Sequence, residues 1–133
     1  LGGKADDWCL QIASDEMMEY DDNLIPTGKY IRRDEFQQGR MIKDLKLDNG
    51  FLLQSAVSPF CTLRNPNSGL WLKFLHQENY PFLQLYIPED RKSIAIENLS
   101  GAPDAFNNGI GLMVLDAGAS RTFRVEIQLG LTP

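Results

Sequence analysis

Apolar and polar residues alternate along much of this chain, in short runs set apart by turn signals. The C-terminal run Arg121-Thr122-Phe123-Arg124-Val125-Glu126-Ile127-Gln128-Leu129 puts Phe123, Val125, Ile127 and Leu129 on one face. Thr122, Arg124, Glu126 and Gln128 fall on the other, a pattern of period two that predicts a half-buried strand. Phe82-Leu83-Gln84-Leu85-Tyr86-Ile87 alternates in the same way between Pro81 and Pro88, with Phe82, Gln84 and Tyr86 opposite Leu83, Leu85 and Ile87. Further strands are predicted at Trp8–Ile12, Met17–Tyr20, Lys29–Arg32, Phe51–Gln54, Phe60–Leu63, Leu70–Leu75, Ser93–Glu97 and Leu112–Leu115. Between them lie Asp48-Asn49-Gly50, Asn65-Pro66-Asn67-Ser68-Gly69 and Asn107-Asn108-Gly109, clusters that read as turns because Gly and Asn accept positive φ and Pro fixes its own. No helical period lasts 11 residues, and Asp104–Asn108 after Pro103 is long enough for one helical turn. The pattern predicts an all-β chain, mostly or wholly antiparallel, forming a sandwich or a piece of one.

Composition narrows the class. The 133 residues are 43% hydrophobic and 23% charged, enough for one domain with a core that needs neither disulfides nor a metal. A chain of this size folds to roughly 7,000 Å² of surface. A net charge of −5, from 18 acidic and 13 basic side chains, argues against a nucleic-acid partner. No window approaches the ~18 consecutive apolar residues of a membrane span, so no membrane partner is expected either. No basic-then-apolar signal opens the chain. The cytoplasm is the expected compartment, with the periplasm or secretion left open by any leader upstream of Leu1. Cys9 and Cys61 sit among apolar or small neighbours and read as two buried free thiols, with one disulfide as the alternative. With one His and no Cys-x-x-Cys spacing, a Cys/His metal site is not expected.

Few residues carry chemistry on local grounds. Glu97 ends the apolar run Ser93-Ile94-Ala95-Ile96, a place where partial desolvation suits a carboxylate to general-base work. The plainer reading is an edge carboxylate in water. Gln84 shares a strand face with Phe82 and Tyr86, and an amide among aromatics fits either sugar recognition or a wet outer sheet face. Asp48 reads as a turn residue entering a strand, and His76 as a lone strand-end histidine beside the polar Gln77-Glu78-Asn79. A Ser/His/Asp set and a glycine-rich phosphate loop are both lacking in the sequence.

Six segments in order add more than any of them alone. Asn23-Leu24-Ile25-Pro26-Thr27-Gly28 is similar to the Leu-Ile-Pro-Thr-Gly turn of the aldose 1-epimerase (galactose mutarotase) family, in its C-terminal half. Asp48-Asn49-Gly50-Phe51 resembles the family's Asp-His-Asn-Phe segment, with Asn49 where many members have His. Ser68-Gly69-Leu70-Trp71-Leu72 resembles its Ser-Gly-Arg strand start, and Pro81-Phe82-Leu83-Gln84-Leu85-Tyr86 its Gln-bearing strand along the sugar site. Ile94-Ala95-Ile96-Glu97, with Pro103-Asp104-Ala105-Phe106-Asn107-Asn108, resembles the strand of the catalytic Glu and the loop after it. Asp116-Ala117-Gly118 fits the family's closing turn.

The resemblance implies a galactose-mutarotase-like β-supersandwich, of which residues 1–133 are a single-domain C-terminal portion. It implies an isomerase that interconverts the α and β anomers of a free hexose, glucose- or galactose-like, without metal or organic cofactor. Glu97 would be the base that takes the proton from the anomeric hydroxyl, and Asp48 and Gln84 would hold substrate hydroxyls. The family's general acid is a His in a His-x-Tyr/Phe-Phe-x-Leu segment, and Leu1 looks like the tail of that segment. The acid is therefore expected upstream, His76 stands in the wrong motif to replace it, and this chain alone is expected to be inactive. Half of a supersandwich should expose an apolar sheet face and open edges, so self-association or pairing with an N-terminal half is expected. The alternative is a non-catalytic carbohydrate-binding or interaction module of the same fold. A third reading, a hexose-6-phosphate epimerase, would need a basic cluster, for which Arg32-Arg33 and Arg91-Lys92 are the available pairs.

Overall fold

The computed structural model describes residues 3–54 and 57–132, with backbone alone at 76 and 77. Its strands are β1 (Cys9–Ile12), β2 (Glu16–Tyr20), β3 (Pro26–Arg32), β4 (Arg40–Met41), β5 (Asp48–Leu52), β6 (Cys61–Arg64), β7 (Leu70–Glu78), β8 (Phe82–Tyr86), β9 (Ala95–Leu99) and β10 (Arg124–Leu131). One helical turn, α1 (Ala105–Asn108), follows Asp104 as the sequence predicts. The strands pair antiparallel in two five-stranded sheets, ordered β10-β7-β6-β1-β4 and β3-β2-β5-β8-β9. Among the described residues no helix is long and apolar enough to cross a membrane.

Alternation makes the sandwich. Leu10, Ile12, Cys61, Leu63 and Phe74 point inward from the first sheet and meet Met17, Phe51, Leu83 and Leu85 from the second in one buried cluster. Phe36, in a short 3-10 turn at Asp34–Phe36, closes the cluster edge-on against Phe51, with ring centroids 5.7 Å apart. Because Leu83 and Leu85 face this core, Phe82, Gln84 and Tyr86 are carried to the outer face of the second sheet. Cys61 is buried and free, whereas Cys9 is free but only half-buried. The expectation of two buried thiols thus holds for one of them, since Cys9 begins its strand rather than sitting inside it.

Three expectations need correcting. Leu112–Leu115 is no strand: Gly109 and Gly111, both at positive φ, turn the chain just before it, and it finds no neighbour to pair with. Its side chains accordingly lie exposed at Leu112, Val114 and Leu115. Asp48-Asn49-Gly50 is not a turn but the first three residues of β5, paired with β8. The predicted face of the last strand is right but its burial is not. Ile127, Leu129 and Leu131 register with Phe74, Leu72 and Leu70, which puts them on the core side of the sheet. They remain 54%, 59% and 69% exposed, because nothing in the second sheet reaches over β10. The total surface of 8063 Å² exceeds the roughly 7,000 Å² usual for this mass, in keeping with an uncovered face.

Candidate active site

The outer face of the second sheet assembles the three residues that the sequence singles out. Cross-strand register sets Gly50 opposite Gln84 and Gln84 opposite Glu97, while Asp48 lies opposite Tyr86. Directly opposed residues share a face, so Asp48, Gln84, Tyr86 and Glu97 form one patch across β5, β8 and β9. Gln84 Nε2 donates to Asp48 Oδ1 at 2.9 Å. The four side chains line a groove of about 530 Å³, whose far wall is Leu99, Gly101, Ala102 and Pro103.

That wall is a loop folded back on the sheet. Ala102 N–H donates to the Ile110 carbonyl at 3.0 Å, closing the segment around α1. Ala102 then packs with Met18 and Phe82 in a second, smaller apolar cluster that Leu52, Leu99 and Ile110 fringe. Half of the outer face is therefore a covered apolar floor, and the polar half is left open. Asp48 and Glu97 are exposed. Glu97 sits mid-strand on the edge strand β9 rather than at an apolar strand's end, so this chain does not supply the desolvation expected around it.

Sequence reasoning missed Tyr20. It ends β2, and its hydroxyl donates to Gln84 Oε1 at 3.0 Å, so Gln84 is held from both sides. Burial raises the Tyr20 pKa above its usual value, with a smaller opposing effect from the Gly50 backbone and a further rise from the Asp48 charge. The only sequence signal for it was its place at the end of an apolar strand.

The other candidates lie elsewhere. His76 belongs by its backbone to β7 in the first sheet, and its side chain lies outside the described residues. Arg32 and Arg33 pair with Asp34 and Glu35 in their own loop. Arg91 is a half-buried clamp that pairs with Asp6 and donates to the carbonyls of Leu45 and Ile42 at 2.7 and 2.9 Å. Neither basic pair lines the groove of Asp48, Gln84 and Glu97. Among the described residues no three His, Cys, Asp or Glu side chains converge as metal ligands.

With this geometry in place, similarity to known proteins is decisive. A family model for aldose 1-epimerase matches residues 2–128, nearly the whole chain. The chain belongs to the aldose 1-epimerase family. A curated relative from Escherichia coli (strain K12), uncharacterized protein YihR, is 27% identical over 119 residues, covering 85% of this chain and 37% of the relative. A solved GalM/aldose epimerase homologue from C. elegans superposes with a TM-score of 0.61 at 23% identity, over 71% of this chain and 37% of that one. A galactose mutarotase-like protein from Clostridium acetobutylicum gives 0.71 at 13% identity, over 98% and 44%. At these identities the two structures speak for the fold. This aldose 1-epimerase family chain spans well under half the length of the relatives it matches.

Proposed function

We propose that the chain carries the base side of an aldose 1-epimerase site, acting on a free hexose of the glucose or galactose kind. The observation that carries this reading is the register of Gln84 with Glu97 on one side and its hydrogen bond to Asp48 on the other, all three facing one groove. Asp48 accepts and Gln84 donates, so the pair suits sugar hydroxyls, which need both. The exposed ring of Tyr86 adds an apolar surface for the C–H face of a pyranose. Glu97 takes the proton of the anomeric hydroxyl as the bond from C1 to the ring oxygen breaks. The ring oxygen receives a proton from an acid, C1 becomes an aldehyde, and rotation followed by the reverse steps gives the other anomer.

The acid is a His supplied from polypeptide outside this chain, because His76 sits in the other sheet. The 133 residues alone bind sugar weakly at most and do not catalyse. Polarimetry on fresh α-D-glucose or α-D-galactose tests the reading. No acceleration is expected from this chain, and acceleration is expected from the protein extended upstream through the His segment. There Glu97→Gln should cost at least about a hundredfold in rate with little change in binding, the scale of a lost general base. An extended protein that keeps its rate with Glu97→Gln sinks the assignment. One that binds hexose without accelerating mutarotation would instead be a carbohydrate-binding module, a reading that the exposure of Glu97 in this chain favours.

A further inference from the structure

Gln84 is useful to a sugar only if its carboxamide presents the donor and the acceptor in fixed places. We infer that Tyr20 is a positioning residue that sets this orientation, and that Gly50 is glycine to make room for it. The inference rests on the sugar-site reading for its ligand, but not for its geometry. Asp48 as a carboxylate can only accept, so the group facing it at 2.9 Å must be Nε2 of Gln84. That leaves Oε1 toward the Tyr20 hydroxyl at 3.0 Å, where only a protonated hydroxyl makes a bond. Burial keeps that proton in place by raising the pKa of Tyr20. The other acceptor within reach of the hydroxyl, Met18 Sδ, is farther at 3.8 Å and weaker. Tyr20 thus donates to Gln84 and Gln84 to Asp48, one directional chain that ends on the carboxylate.

Gly50 sits between the ends of this chain, in β5 opposite Gln84. Its φ is unremarkable for a strand, so conformational freedom does not explain it. Space does: a Cβ at this position would lie 2.6 Å from the Tyr20 hydroxyl, 3.0 Å from Met18 Sδ and 3.2 Å from Gln84 Oε1. Any side chain there displaces the hydroxyl from the amide. With the orientation fixed, Gln84 keeps one Nε2 hydrogen for a substrate hydroxyl beside the one that Asp48 accepts from. The site then reads two neighbouring hydroxyls as one acceptor and one donor.

Tyr20→Phe removes the hydroxyl and almost nothing else, and Gly50→Ala pushes it aside. Two readouts are needed on the protein extended upstream through the His segment, unsubstituted and carrying each variant. One is the exchange of the Gln84 side-chain amide protons with water, followed by nitrogen-edited NMR. The other is the dissociation constant for D-galactose and D-glucose, titrated on the same samples. Backbone amide shifts away from the groove verify that each variant folds. We expect faster exchange at Gln84 in both variants and hexose affinity weakened about threefold to tenfold, the worth of one neutral hydrogen bond. We also expect Gly50→Ala to add less once Tyr20 is Phe, since its closest contact is with that hydroxyl. Unchanged Gln84 exchange in Tyr20→Phe overturns the inference, even if hexose binds. Accelerated exchange with no hexose binding to the unsubstituted extended protein upholds the positioning contact and overturns the sugar reading instead.

Discussion

Two side chains with no part in the groove make the sharpest statements at the residue scale. The Cys61 thiol is fully buried, and burial alone pushes its pKa up from 9.0 to about 12. Unfolding therefore releases its proton once the pH passes about 9, while the folded chain holds it to about 12. Stability attributable to the neutral buried thiol is complete below pH 9 and declines between 9 and 12, by up to about 1.4 kcal/mol per pH unit. In urea melts, the stability gap between the native chain and Cys61→Ala should narrow over that window, and a constant gap would contradict the burial argument. Below pH 9 a thiol reagent should reach the half-buried Cys9 and leave Cys61 intact until the chain unfolds. Arg91 is the second case. Its guanidinium serves Asp6 and two backbone carbonyls at once. Arg91→Ala leaves those acceptors partly desolvated without a donor and should cost about 2–3 kcal/mol in chemical denaturation. Since the guanidinium is already engaged, hexose binding should not change. A loss of binding without loss of stability would return Arg91 to a substrate role.

At the scale of elements, the loop between β9 and β10 decides how well the groove is walled. Gly111 is at φ +70, and a Cβ there would come within 2.6 Å of the Phe82 ring and 3.1 Å of Gly101 Cα. Gly111→Ala is strained in backbone and in packing together, so a loss of about 2–4 kcal/mol is expected, with loosening of the Ala102–Pro103 wall. Chemical denaturation measures the first, and proteolysis within residues 100–123 the second. This loop also shows where sequence reading stops. The strand pattern located the long strands β7 and β10 and the shorter β8, since a period of two is a local property of the sequence, even where, as on β10, the inward row stays exposed. It placed Gln84 and Tyr86 on the right face for the same reason. It failed at Asp48-Asn49-Gly50, because a glycine that serves a close approach looks in sequence like a glycine that serves a turn. It failed at Leu112–Leu115, because a strand needs a neighbour to pair with and an apolar run does not supply one. It missed Tyr20, since a hydrogen bond across 64 residues leaves no local trace.

The whole molecule shows a sandwich whose first sheet outruns its second. Ile127, Leu129 and Leu131 continue the inward row begun by Phe74, Leu72 and Leu70, yet they face solvent, and β10 is an unpaired edge. An edge of the second sheet, β9, carries Asn98 on its core side, and Asn98 Nδ2 is buried without a hydrogen-bond partner among the described residues. Apolar cover over β10 and an acceptor beside β9 are what an additional segment of β structure would bring. The relatives have length to spare for it, since this chain spans 37% of the curated relative and 37% and 44% of the two solved structures. An isolated chain satisfies such a face with whatever is at hand, which at micromolar concentration is another copy of itself. Light scattering after size exclusion should therefore give a mass above 15.0 kDa for the chain alone. The double substitution Ile127→Asp and Leu129→Asp should return it toward the monomer, because charges on that row penalise burial. A strictly monomeric chain at high concentration would mean that the row is tolerated in water, and that the partner expected on it is not needed.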